Sequence, residues 1–118
     1  MTEQEVSSLP TAESAVIALR RIAKAWELDA FEVTALIAAP SDDFTSVEWS
    51  RDRLTRVRYL VELETALRDL NPKFGVAHWM RTRNPGPFFA GNSPWQMLTG
   101  STSNVAELLR QVRRWSKR

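Results

Sequence analysis

Very few residues in this chain could do covalent or acid–base chemistry. There is one histidine, His78, and no cysteine, so the chain offers neither a thiolate nucleophile nor a thiolate metal site. His78 stands between Ala77 and Trp79 with no carboxylate at ligand or general-base spacing, and it reads as a structural histidine. Glu62 and Glu64 are two residues apart on a segment of helical period, so they point in different directions and cannot act as an acid–base pair. No Gly-rich phosphate loop occurs. The expectation is a protein that binds rather than one that catalyses, with no metal and no cofactor.

Two basic segments and one aromatic turn are the binding candidates. Arg51, Arg53, Arg56 and Arg58 fall within about two helical turns and could grip phosphates; the competing reading is a solvated helix face, with Asp42, Asp43 and Glu48 close enough in sequence to neutralise it. Arg110, Arg113, Arg114, Lys117 and Arg118 follow the last acid, Glu107, so the net charge of +2 is unevenly spread. Asn84-Pro85-Gly86-Pro87 is a turn signal that sets Phe88 and Phe89 beside a rigid bend, with Trp95 soon after. These three aromatics read equally as core packing or as contacts to a partner.

The elements that position these groups are helical. At 118 residues, 43% hydrophobic and 25% charged, the chain has the length and composition of one globular domain. Its longest apolar runs are only a few residues, so neither a membrane-spanning helix nor a signal-peptide core is expected, and a cytoplasmic location follows. Residues 1–10 read as a flexible leader. Thr11 opens a helix whose stripe is Val16, Leu19, Ile22, Ala23 and Trp26. Asp29 and Glu32 have capping-box spacing for a second, short helix through Ala38 that Pro40 stops.

Two short helices of this kind open a helix-turn-helix. The 41–49 stretch, where a recognition helix would lie, has no Lys or Arg and reads as an acidic loop pinned by Phe44, Val47 and Trp49. Ser50 caps a long helix with an apolar stripe of Leu54, Val57, Leu60, Val61, Leu63, Leu67 and Leu70. Asn71-Pro72 is read as the cap and first residue of a further helix carrying Phe74, Ala77, His78 and Trp79. Ser93-Pro94 repeats that device for a helix of under two turns that Gly100 stops, and a last helix opens near Ser103 or Asn104. No segment has a convincing period of two. The fold class is therefore all-α: a single domain of about six helices, with a degenerate helix-turn-helix-like layer over residues 11–70 and a docking layer over 71–118.

The ordered series Trp79, Arg81, Asn84, Phe89, Gly91, Ser93-Pro94, Met97-Leu98 and Gly100 resembles the toxin-binding region of Xre/MbcA/ParS-type antitoxins, and Trp49-Ser50-Arg51-Asp52-Arg53-Leu54-Thr55-Arg56-Val57 looks like the opening of that family's long central helix. The resemblance spans about residues 12–115. It implies an all-helical antitoxin, homodimeric or in a larger hetero-oligomer with its partner, that neutralises a RES-domain, NAD-consuming toxin by covering its active-site cleft. On that likeness Arg81, Asn84, Pro85, Phe88, Phe89, Gly91, Ser93, Pro94, Trp95, Arg113, Arg114 and Arg118 are the expected toxin-binding residues, with Arg81 and Asn84 as polar anchors and Phe89 and Trp95 as apolar contacts. Some members of the family also repress their own promoter. The alternative function is accordingly a regulator that binds operator DNA through Arg51, Arg53, Arg56 and Arg58, although the basic recognition helix of such members has no counterpart in the acidic 41–48 stretch.

Overall fold

A computed structural model describes residues 9–39 and 47–116. Among the described residues there are six helices and no strand, and none of the helices is long and apolar enough to cross a membrane. Helix α1 (Ala12–Ala25) starts where Thr11 and Ser14 cap one another: Thr11 Oγ1 accepts the Ser14 N–H at 3.1 Å, and Ser14 Oγ accepts the Thr11 N–H at 2.9 Å. Helix α2 (Ala30–Leu36) opens on the capping box expected from its spacing. The Glu32 N–H donates to Asp29 Oδ1 at 2.8 Å, and the Asp29 N–H donates to Glu32 Oε1 at 3.0 Å.

Both of these helices end in the same way. The Leu28 N–H reaches back to the Ala23 carbonyl at 2.8 Å, and the Ala39 N–H to that of Thr34 at 3.0 Å, each over a residue in the left-handed region, Glu27 (φ 55°) and Ala38 (φ 54°). This is the Schellman closure, usually made by glycine. Here non-glycine residues hold it, at roughly 1–2 kcal/mol of backbone strain each, and the second helix accordingly stops before Ala38.

Helix α3 (Arg51–Leu70) is capped by Ser50, whose Oγ accepts the Arg53 N–H at 3.2 Å. Val57, Leu60, Leu63 and Leu67 are fully buried, whereas Leu54 and Leu70 are half-buried and Val61 is 42% exposed. The buried stripe is thus narrower than the hydrophobic positions alone suggest. The expected start of a helix at Asn71-Pro72 is overturned. Asn71 instead closes α3 in the left-handed region (φ 48°), its N–H bonded to the Leu67 carbonyl at 2.9 Å, because asparagine tolerates this conformation and the following proline cannot continue a helix. Helix α4 (Val76–Arg81) begins only after Gly75, which sits at φ 88°, leaving Phe74 in the turn and 72% exposed.

Helix α5 (Pro94–Leu98) and helix α6 (Thr102–Ser116) complete the chain. Ser101, rather than Ser103 or Asn104, caps α6: its Oγ accepts the Asn104 N–H at 3.2 Å. The last helix runs parallel to α3, since Thr102 meets Asp52 and Arg56 near the start of α3 and Arg113 meets Glu62 farther along. Helix α1 packs on α3 as well, and α5 joins α4 to α6. One core takes Leu19, Leu36, Leu60, Met80, Leu98 and Leu108 from the six helices in turn, all fully buried. Burial of each such side chain contributes about 1.5–3 kcal/mol, and because every helix feeds the same cluster the chain is a single all-α domain. Val47 and Trp49 pack against this core; Phe44, with the rest of 40–46, lies outside the described residues, as do residues 1–8 of the expected leader.

Candidate docking site

Residues 84–92 form a closed loop between α4 and α5. Two bonds tie its neck, from the Asn84 N–H to the Asn92 carbonyl at 3.0 Å and from the Gly91 N–H to the Asn84 carbonyl at 2.9 Å. Inside the neck, Asn84 Oδ1 accepts the Gly86 N–H at 2.8 Å, and the Ala90 N–H reaches the Gly86 carbonyl at 2.9 Å. A side chain at Gly86 would place its Cβ 3.0 Å from Asn84 Oδ1, so any larger residue there would push on the Asn84 side chain that ties the turn. Ala90 (φ 52°) and Gly91 (φ 86°) bring the chain back through the left-handed region. Pro85 and Pro87, both exposed, hold φ near −65° on the outward arm. The result is a compact Ω-type loop whose shape is set by its own hydrogen bonds. Beyond it the Ser93 N–H donates to Gln96 Oε1 at 2.7 Å, and Ser93 and Pro94 are buried at the start of α5.

Phe89 anchors the loop and is itself only 3% exposed. Its ring lies edge-on to Trp79 of α4 with centroids 6.2 Å apart, and tilted against Trp115 of α6 at 5.8 Å. Phe88 stands edge-on to Phe89 at 5.0 Å and to Trp115 at 6.0 Å. Of the two readings open for the aromatics, Phe89 therefore falls to the core and does not present itself to a partner. The reason is geometric: a neck closed at residues 84 and 92 points the loop's last aromatic inward. Phe88, Trp79 and Trp115 remain half-buried, and so does Trp95, on which no ring of a described residue stacks. The available surface is therefore the outer loop of Pro85, Pro87 and Ala90 to Asn92, with partial faces of Phe88 and Trp95 beside it.

The arginines divide differently from what their sequence spacing suggests. Arg81, expected as a polar anchor for a partner, is exposed but lies back on its own chain: Nη1 donates to the Trp26 carbonyl at 3.3 Å and to that of Ala77 at 3.0 Å, while Nη2 donates to the Glu27 carbonyl at 2.9 Å and ion-pairs with Glu32 at 3.2 Å. It clamps α4 onto the corner between α1 and α2. Arg53 does the same for the end of α2, donating from Nε to the Ile37 carbonyl at 3.2 Å, from Nη2 to that of Ala38 at 3.1 Å and from Nη1 to that of Glu48 at 2.8 Å. Arg56 is 3% exposed and bridges three segments, through Nη1 to the Leu36 carbonyl at 3.0 Å, Nε to Thr102 Oγ1 at 3.2 Å and Nη2 to the Gly100 carbonyl. Burial pushes its guanidinium below the ordinary arginine value; Asp52 opposes that shift and Arg53 adds to it.

Three of the four arginines expected to grip phosphates have partners on their own chain. Arg53 and Arg56 hold backbone carbonyls at the strained end of α2, and Arg58 pairs with Glu62 at 3.5 Å. The burial of Arg56 has a readable signal. It precedes Leu60, Leu63 and Leu67 at helical spacings on the buried stripe of α3, a position where an arginine must find internal acceptors. Of the C-terminal basic residues, Arg113 bonds Glu62 at 2.8 Å and Arg110 pairs with Glu107 at 3.2 Å. Arg114 is exposed with no partner among the described residues, and Arg118 lies outside them. His78 is exposed and lies edge-on to Phe74 at 5.4 Å. Among the described residues no group of His, Asp and Glu is placed to hold a metal ion. Sequence reasoning missed the exposure of Ile17 (54%) and Phe31 (70%), and it passed over Tyr59.

Comparison with family models, characterised proteins and solved structures finds no match.

Proposed function

We propose that this chain is the antitoxin of a type II toxin–antitoxin pair and neutralises a RES-domain, NAD-consuming toxin by docking over the toxin's active-site cleft. The observation that carries this reading is the 84–92 loop, whose neck is closed by Asn84, Gly91 and Asn92 and whose root is fixed by Phe89. A loop held in shape before binding loses little conformational entropy on docking, which favours affinity for a concave partner. The loop also coincides with the segment that carries the likeness to Xre/MbcA/ParS-type antitoxins. On this reading Pro85, Pro87, Phe88 and Trp95 make the apolar contact, Asn84, Gly86 and Gly91 set the loop's shape, and neutralisation is steric, with no chemistry contributed by this chain.

The test uses exposed positions, because Phe89 belongs to the core and its removal would unsettle the fold. Pro87→Glu combined with Asn92→Glu places two carboxylates on the outer loop without touching a buried contact. The expected result is loss of protection in cells that express the toxin, with the far-ultraviolet circular dichroism and thermal midpoint of the antitoxin unchanged. Full protection by this folded variant would remove the loop from the interface.

A further inference from the structure

Helices α3 and α6 enclose a groove of 390 Å³ lined by Tyr59, Ala106, Leu109, Arg110, Arg113 and Arg114. Ala106, Leu109 or Arg110, and Arg113 recur at one helical face of α6, with Tyr59 standing opposite on α3. Leu109 and Ala106 make the floor apolar, being buried and half-buried respectively, and Tyr59 is half-buried. The charges around it are unequal. Arg58, Arg110, Arg113 and Arg114 are answered only by Glu62, which takes Arg113 at 2.8 Å and Arg58 at 3.5 Å, and by Glu107, which takes Arg110 at 3.2 Å. Arg114 and the Tyr59 hydroxyl have no hydrogen-bond partner among the described residues.

We propose that this groove receives an acidic stretch of the partner polypeptide, with one carboxylate held between the Arg114 guanidinium and the Tyr59 hydroxyl and a neighbouring apolar side chain laid on Leu109. The inference rests on the reading of the chain as a module that docks on another protein. A planar carboxylate matches the guanidinium fork in two parallel bonds, and its single charge suits a groove in which two arginines are already neutralised. Glu62 pins Arg113 from α3, so the wall is set before the partner arrives. A nucleic-acid strand fits less well, because it calls for several stacking rings and a continuous phosphate track, whereas this groove has one tyrosine and two carboxylates at its rim.

The probe is an acetylated Glu-Leu-Glu-Glu-Leu-Glu peptide, titrated into the isotopically labelled full chain and followed by amide chemical shifts, with oligothymidylate as the phosphate counterpart. The peptide should shift Tyr59, Leu109 and Arg114, and its affinity should fall severalfold between low and physiological salt. Arg114→Glu should weaken binding by about tenfold or more, and Tyr59→Phe by roughly threefold, matching one lost hydrogen bond; Arg20→Glu, at an exposed position of α1, should leave it unchanged. Equal binding by Arg114→Glu, or shifts of these amides by oligothymidylate but not by the peptide, overturns the groove as an acidic-peptide site. Since no toxin enters this titration, the two readings fail separately: peptide binding without toxin neutralisation sinks the antitoxin reading and leaves the groove, and the converse leaves the loop and sinks the groove.

Discussion

Replacing Arg56 by lysine keeps the charge and removes the geometry, so it isolates what the guanidinium does. Three acceptors converge on this side chain: the Leu36 carbonyl at the end of α2, the Gly100 carbonyl before α6, and Thr102 Oγ1 within α6. An ammonium is a compact donor on a flexible stem and can satisfy one of these segments, not all three. Each bond from a charged donor contributes about 1.5–3 kcal/mol, and an acceptor left buried without a partner costs about 1–3 kcal/mol. The Leu36 site is buried, whereas those at Gly100 and Thr102 are only partly so, and water can replace part of what is lost there. Arg56→Lys should therefore cost roughly 2–4 kcal/mol. Urea unfolding followed by circular dichroism would read this as a midpoint lowered by about 1–4 M, given slopes near 1–2 kcal/mol per molar. Arg58→Lys on the same helix, with its exposed pair to Glu62, should change stability by less than about 0.5 kcal/mol. If the two substitutions had equal small effects, Arg56 would not be the bridge that joins α2, α3 and α6.

Phe89→Ala should destabilise the fold by about 3–5 kcal/mol, because it empties the space between Trp79 and Trp115; the thermal midpoint checks it, and an unchanged midpoint would return Phe89 to the surface. Ala38→Gly should stabilise by about 0.5–1 kcal/mol, the relieved left-handed strain outweighing the added freedom of the unfolded chain, measured by urea unfolding. Asn84→Ala should cost only about 1 kcal/mol globally, yet hydrogen exchange at the Gly86, Ala90 and Gly91 amides should quicken as the loop loosens.

Much of the fold is legible in the sequence, because the helix starts are written in short-range chemistry. Thr11, Asp29, Ser50 and Ser93 each stand where a helix begins, and the periodic Leu and Val positions of α3 and α6 mark the buried faces. Helix ends were harder to read. Glu27 and Ala38 enter the left-handed region without being glycine, and the arginines that donate to the neighbouring carbonyls come from distant parts of the chain. No local signal announces that Arg81 will reach the corner between α1 and α2, or that Arg53 will reach the end of α2. Asn71-Pro72 misled for a related reason: a capping side chain before proline suits the end of one helix as well as the start of another.

The site was legible in part. The turn at residues 84–87 was evident from its prolines and glycine, but which aromatic faces inward depends on where the neck closes, and Asn92 is eight residues from Asn84. The basic residues looked alike in sequence and divide in space. Arg53, Arg56 and Arg81 hold carbonyls, Arg113 holds a carboxylate, and Arg114, with no partner among the described residues, lines the same groove as Tyr59.

The central claim is tested most directly by the cellular NAD level when the product of the adjoining reading frame is expressed with and without this chain. The neighbour alone should deplete NAD, and co-expression of this chain should restore it through a complex that survives purification. A neighbour that leaves NAD unchanged, or one that depletes it equally in the presence of this chain, would contradict it.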